Sequence, residues 1–168
     1  MKQSWTIRIV GTGTEPASQL LANPQNWRIH PKPQQKAMQG ALNELGWIQT
    51  VLVNKTTGNM IDGHLRVALA LHQGEDTPVP VTYIELSEAE ESLALATLDP
   101  LSAMASADKE VLDELLRQAT TDNVALQEMM TNLAKDNLLM PEFKEYDESI
   151  ADEVEMTTCP SCGHVFLK

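Results

Sequence analysis

The sequence of 168 residues has few of the features that identify a secreted or membrane protein. It contains only two cysteines, and no apolar run approaches the roughly 18 residues that a membrane span needs. The first residues alternate in polarity and lack the apolar core of a secretory signal, so we expect a cytoplasmic protein without a membrane partner. In that compartment the cysteines are expected to be reduced thiols or metal ligands rather than a disulfide.

Basic residues are scarce, and they are distributed unevenly along the chain. Residues 1–83 hold seven basic and five acidic residues, a net charge of +2, whereas residues 84–168 hold five and nineteen, a net charge of −14. Because phosphate binding rests on neutralisation by cations, only residues 1–83 are expected to bind a nucleotide or DNA. The acidic half is interpreted as a solvated face, a surface for a protein partner, or a screen against non-specific binding.

Hydrophobic residues make up 42% of the chain, which is enough for an ordinary core, and the length allows one domain plus a smaller appendage. Apolar periodicity and turn residues predict an α/β protein whose later part is helical. The predicted strands are 5–10, 49–53, 59–61 and 79–84. The predicted helices are 34–45, 64–73, 87–98, 108–119 and 123–135.

Glycine and proline set several of these boundaries. Gly11 to Thr14 is predicted as a turn that ends the first strand. Asp99-Pro100 is predicted to end the helix that begins at Ser87. Pro80 indicates that its strand lies at a sheet edge, or that the proline is an early strand residue.

The hexapeptide Ile61-Asp62-Gly63-His64-Leu65-Arg66 lies where a predicted strand gives way to a helix. Free N–H groups at a helix start, together with a glycine that allows close approach, make an anion site. Arg66 can clamp a phosphate with two hydrogen bonds, and His64 can donate to it. The alternative is a common Asp-Gly turn followed by a solvated arginine.

The surrounding order of motifs resembles a known family. Asn23-Pro24-x-x-x-Arg28 precedes a helix that ends in Leu-Gly-Trp-Ile-Gln, then a Val-Leu-Val strand, a hairpin and the hexapeptide. Over residues 15–100 this order resembles that of the ParB/sulfiredoxin-like superfamily. The pattern of motifs is most similar to that of the small ParB-like, DNA-methylase-associated proteins of phages and mobile elements. The resemblance implies a small mixed sheet with helices and a role in DNA transactions.

The resemblance also implies a pocket for a nucleoside triphosphate with Mg²⁺. Gly63, His64 and Arg66 match the family's glycine box, and Asn23 and Arg28 match its first box. His64 stands where sulfiredoxin has its catalytic cysteine, so reduction of cysteine sulfinate is not expected. The Glu-Asn-x-x-Arg segment of ParB is matched only by Asp99, which leaves nucleotide hydrolysis open.

Two further functions remain alternatives. One is a small metal-dependent phosphotransferase or nuclease in which Asp62 or Asp99 holds Mg²⁺. The other is an adaptor that binds another protein through its acidic second half. On this interpretation the chain divides into a ParB/sulfiredoxin-like domain, a helical extension, an acidic linker and a tail, at 1–100, 101–138, 139–156 and 157–168.

The tail carries Cys159-Pro-Ser-Cys162-Gly-His164, which resembles one half of a zinc ribbon. The spacing lets both thiolates meet one Zn²⁺, and His164 is a candidate third ligand. A closed structural site needs four ligands, and the sequence has no further cysteine. The alternatives are a site shared in a zinc-linked homodimer, a degenerate knuckle or a redox Cys-x-x-Cys.

Overall fold

The computed structural model describes residues 4–139 and, nearer the C-terminus, residues 156–158, 161–162 and 164–167. Four of its strands are β1 Ile9–Pro16, β2 Val51–Asn54, β3 Met60–Asp62 and β4 Pro78–Ile84. Its helices are α1 Lys32–Leu45, α2 His64–Gln73, α3 Glu88–Ala103, α4 Lys109–Gln118 and α5 Val124–Asp136. A separate antiparallel hairpin joins β5 Met156–Thr158 to β6 Val165–Leu167. The predicted α/β class is confirmed.

Strands β1 to β4 form one mixed sheet in the order β1-β4-β2-β3. Strand β4 pairs antiparallel with β1 and parallel with β2, and β2 pairs antiparallel with β3. The core is built on valines of the two central strands, which pack against the inner face of α2. Each fully buried valine contributes about 1.5 to 3 kcal/mol. This packing holds α2 against β2 and β4.

The first strand lies later in the chain than predicted. The prediction placed it at 5–10 and treated Gly11 to Thr14 as a turn, but β1 runs through both glycines of that segment. Thr12 lies opposite Thr82 and Gly13 opposite Val81. Strand pairing uses backbone groups, which glycine supplies, and the cost of lacking side chains is small at a sheet edge. Of the two readings of Pro80, the early strand position is the correct one: β4 is central, and Pro80 lies near its start, before the pairing with β2 that begins at Val81.

Helix α3 continues past the proline that was predicted to end it. Ser87 and Glu90 form a capping box at its start. Pro100 lies inside the helix, and the N–H of Met104 still donates to the Pro100 carbonyl at 3.1 Å. A proline removes one hydrogen bond of its own, and the helix after it can continue when other contacts hold the final turn. The predicted domain boundary at residue 100 therefore falls within α3.

The remaining helices follow the sequence patterns closely. Helix α2 has the predicted bounds, and Asp108 and Asn123 cap α4 and α5 through their side chains. Helix α5 packs on α1, where Gly40 leaves room for the Asn123 side chain. Among the described residues, no helix is long and apolar enough to cross a bilayer. The predicted acidic linker lies almost entirely outside the described residues.

Candidate functional site

A cavity of about 570 Å³ opens between the start of α2, the loop before α1 and the second half of α3. Leu52, Ile61 and Leu95 form part of its apolar wall. Its glycine and its charged or titratable lining residues include Arg28, Asp62, Gly63, His64, Arg66 and Asp99. Four of the five residues predicted to bind phosphate therefore line one cavity.

Gly63 is the N-terminal cap of α2 and has a φ of 99°, a value that favours glycine. A Cβ atom at this position would lie 2.8 Å from the Cγ2 atom of Val51. The first helical hydrogen bond runs from the N–H of Val67 to the Gly63 carbonyl at 3.0 Å, so the N–H groups of residues 64–66 have no partner within the helix. Both the turn and the close packing on β2 therefore require a glycine.

His64 is the first residue of α2 and is half-buried at the cavity wall. Its Nε2 atom accepts a hydrogen bond from the backbone N–H of Asn23 at 3.2 Å. Burial lowers the pKa of His64, the nearby Asp62 raises it, and His30 and Arg28 lower it again, with a net decrease. The lowered pKa favours the neutral imidazole at neutral pH.

Arg66 is more deeply held than a solvated arginine on a first helical turn would be. The residue is only 8% exposed, and its guanidinium forms an ion pair with Asp62 at 2.8 Å. It also donates to the Gln49 side chain and to the Thr50 carbonyl. Its Nε is a buried atom without a hydrogen-bond partner. Arg66 thus anchors the turn before α2 to the segment before β2.

Arg28 reaches the cavity from the loop before α1. It forms an ion pair with Asp99 of α3, and both side chains are about one third exposed. Its neighbour Trp27 donates its indole N–H to the Leu95 carbonyl at 3.1 Å, a second link from this loop to α3. Arg28 is therefore the cavity cation that a ligand can reach with the smaller rearrangement.

The charges of the cavity balance. Arg28 faces Asp99, Arg66 faces Asp62, and the imidazole of His64 is neutral. The sequence had predicted a cationic site, but the lining carries no formal excess of positive charge. A phosphate must therefore compete with carboxylates for the arginines, or arrive with a cation of its own.

Asn23 does not line the cavity. Its side chain is 4% exposed and donates to the carboxylate of Glu91 at 2.6 Å. The same carboxylate accepts hydrogen bonds from Asn54 and Thr57, each at 2.6 Å. Sequence reasoning missed this buried polar cluster. The available signal was that Glu91 lies four residues before the buried Leu95, and therefore on the inner face of α3.

The two predicted metal sites differ in what the structure describes. Within the described residues no three histidine, cysteine or acidic side chains are grouped as for a metal ion. Cys162 and His164 are exposed, and Cys159 lies outside the described residues. Zinc binding by the tail therefore stays a prediction. Asp62 and Asp99 share the cavity, and two carboxylates with phosphate oxygens suit Mg²⁺ without a third protein ligand.

Comparison with known proteins identifies the fold. No family model and no curated protein matches this sequence. The chain is similar to the C-terminally truncated chromosome-partitioning protein ParB from Caulobacter crescentus complexed with CTP-γ-S, at 22% identity and a TM-score of 0.52 over 79% of this chain and 81% of that one. Two structures of a pNOB8-like ParB N-domain also align. The first has 16% identity and a TM-score of 0.48, over 97% of this chain and 59% of that one. The second has 15% identity and a TM-score of 0.47, over 98% of this chain and 56% of that one. The predicted ParB-like fold is confirmed.

Proposed function

We propose that the protein binds a nucleoside triphosphate as its magnesium complex in the cavity at the start of α2, and that this binding serves a transaction on DNA. The observation that carries the proposal is the convergence of Arg28, His64, Arg66 and the start of α2 on one cavity. The fold is shared with a ParB whose structure contains CTP-γ-S, which supports a nucleotide as the ligand class. A phage or mobile-element setting rests on the sequence resemblance alone.

The charge balance favours the magnesium complex over the free nucleotide. A free triphosphate carries several negative charges into a cavity where both arginines already face carboxylates. If Asp62 and Asp99 instead take Mg²⁺, an ion that prefers carboxylate and phosphate oxygens, both arginines become available to phosphate. Magnesium would supply charge neutralisation, while Arg28, His64 and the α2 N–H groups hold and orient the phosphates.

The test is titration calorimetry of the four common ribonucleoside triphosphates with and without Mg²⁺. Arg28→Ala is expected to weaken binding about 10- to 100-fold, since a hydrogen bond to a charged group is worth about 1.5 to 3 kcal/mol. Arg117→Ala is the matched control, because Arg117 is paired with Asp113 on α4 and does not line the cavity. Arg66→Ala is a poorer probe, because Arg66 also anchors the fold. Wild-type protein that binds no nucleotide at millimolar concentration would refute the proposal.

Asp99→Asn separates the two ways in which the cavity can accept phosphate. If Asp99 only competes for Arg28, the substitution frees the arginine, and affinity should rise with or without Mg²⁺. If Asp99 holds Mg²⁺, affinity should fall in magnesium and rise only in its absence. The same variant tests the second candidate, a metal-dependent phosphotransferase or nuclease, which is favoured by the two carboxylates that line one cavity. That activity would appear as turnover of labelled nucleotide or cleavage of DNA, and it would be lost in Asp99→Asn.

DNA is the proposed macromolecular partner of residues 1–83, where the net charge is positive. A protein partner is proposed for the acidic second half, whose helix α4 exposes the apolar side chains of Val111 and Leu115. A gel shift that survives moderate salt would support DNA binding over the adaptor function. Retention of a protein partner without any DNA shift would support the adaptor instead.

A further inference from the structure

We propose that Glu91, which lies outside the cavity, acts through Asn23 as a positioning residue that keeps Nε2 of His64 as a hydrogen-bond acceptor, so that Nδ1–H donates to the ligand. The proposal rests on the proposed nucleotide binding for the identity of the ligand. It assigns a role to a buried carboxylate that the cavity itself does not use. It also explains why Asn23, which does not line the cavity, belongs to the binding machinery.

Glu91 is an acidic residue in a place where packing alone would favour an apolar one. It is 5% exposed, and no lysine, arginine or histidine among the described residues forms an ion pair with it. Its carboxylate instead accepts three side-chain hydrogen bonds, from Asn23, Asn54 and Thr57. A buried charge is costly unless such donors surround it. The three donors come from separate segments, so the carboxylate joins the loop after β1, the end of β2 and the turn before β3.

Asn23 connects the Glu91 carboxylate to His64 at the cavity wall. Its Nδ2 donates to Glu91 at 2.6 Å, and its Oδ1 accepts the N–H of Gln25 at 2.9 Å. The side chain is therefore held at both polar ends, and the backbone beside it cannot turn away freely. In this position the Asn23 N–H lies 3.2 Å from Nε2 of His64.

That contact determines the tautomer of His64. A nitrogen that accepts a hydrogen bond carries no proton, so the proton of the neutral imidazole is on Nδ1. Nδ1 has no hydrogen-bond partner in the described part of the chain. It is not among the buried side-chain atoms there that lack a partner, so it is accessible to solvent, and His64 lines the cavity. The charged or titratable groups around His64 are Asp62, His30 and Arg28.

The arrangement has a chemical consequence. A neutral Nδ1–H can donate to a phosphate oxygen without adding charge to a balanced cavity. Protonation of Nε2 would turn both ring nitrogens into donors and would break the contact with the Asn23 N–H. Loss of the Glu91 carboxylate would release Asn23 and allow His64 to populate the other tautomer.

The first test is the ¹⁵N NMR spectrum of the His64 ring in the wild-type protein without nucleotide, at pH 7.5. The Nδ1–H tautomer is expected. A ring that is protonated on Nε2, or on both nitrogens, overturns the proposal. This measurement does not depend on nucleotide binding or on the folding of any variant.

The second test compares Glu91→Gln with the control Glu88→Gln, which makes the same charge change one turn earlier on α3. Glu88 is exposed, and its side chain has no hydrogen bond in the described part of the chain. Glu91→Gln should produce a mixture of His64 tautomers and weaken nucleotide binding about tenfold, as for one misplaced hydrogen bond. Glu88→Gln should change neither. An unchanged tautomer in folded Glu91→Gln would overturn the relay.

The third test uses amides as partial mimics of the imidazole. The amide nitrogen of asparagine can stand in for Nδ1–H, whereas that of glutamine can stand in for Nε2–H. His64→Asn should therefore keep nucleotide affinity within about threefold, and His64→Gln should lose about tenfold. The reverse order would overturn the proposal. If the wild-type protein binds no nucleotide but shows the Nδ1–H tautomer, and Glu91→Gln loses it, the proposed function fails while the relay stands.

Discussion

Replacing Gly63 with alanine tests why a glycine precedes α2. The residue has a φ of 99°, where a side chain costs about 1 to 2 kcal/mol. The added Cβ would also lie 2.8 Å from the Cγ2 of Val51, which is fully buried in β2 and has little room to move. Overpacking of this kind costs about 1 to 3 kcal/mol. The loss of unfolded-state freedom returns about 0.4 to 1 kcal/mol, so we expect a net destabilisation of about 1 to 5 kcal/mol.

Urea unfolding of matched variants separates the two contributions. Gly58→Ala introduces backbone strain without overpacking, because the φ of Gly58 is 78° and nothing lies within 4 Å of the added Cβ. Gly11→Ala carries neither, since its Cβ also meets nothing and its backbone is that of a strand. We expect a loss of about 1 kcal/mol or less for Gly58→Ala and little change for Gly11→Ala.

A double variant tests the contact with Val51 directly. Val51→Ala removes the methyl groups that the new Cβ would meet, so Gly63→Ala should cost less in that background than in the wild type. Equal losses for Gly63→Ala and Gly58→Ala would show that the contact with Val51 does not matter. The close packing of the glycine box on β2 would then be refuted.

Three other perturbations have defined outcomes. Burial lowers the pKa of His64, and in Glu91 the effect of burial, which raises the pKa, is outweighed by hydrogen bonds that lower it. Urea unfolding should therefore show that stability falls as the pH drops below 6.5 and again below 4.5. Equal stability at about pH 7.5 and about pH 4 would contradict this. Deleting residues 140–168, which carry seven acidic and two basic residues, should strengthen non-specific DNA binding and steepen its salt dependence, and unchanged affinity across a salt series would show that the segment has no electrostatic effect. The tail should bind about half a zinc ion per chain in a dimer that a chelator dissociates, as judged by elemental analysis and light scattering; a metal-free monomer purified under reducing conditions would refute the shared site.

Local signals in the sequence predicted the helices that local chemistry determines. Helix α2 begins after Gly63, whose φ of 99° favours glycine, and it ends before Gly74. Asp108 and Asn123 were correctly placed at the starts of α4 and α5, because an acceptor side chain satisfies the free N–H groups there. These features need no information about distant residues.

The misplaced boundaries depended on partners far along the chain. Glycine favours a turn by itself, but β4 supplies the backbone partners that hold Gly11 and Gly13 in β1. Proline weakens a helix by itself, but α3 is also held beside the proline by the pair between Arg28 and Asp99. Asn23 and Glu91 lie 68 residues apart, and nothing local marks their contact. Sequence reasoning found the residues of the cavity more reliably than it found what each one contacts.

The roles within the glycine box follow from these contacts. Arg66 joins Asp62, Gln49 and Thr50 while deeply buried, so its main contribution is to hold the strand-to-helix turn in place. Removing it would leave the carboxylate of Asp62 without its partner, a cost that arises whether or not a ligand binds. Arg28 has one carboxylate partner and is far more exposed, so it can exchange that partner for a phosphate. The hexapeptide therefore shapes the site, and under the proposed function the main contact with phosphate falls to an arginine outside it.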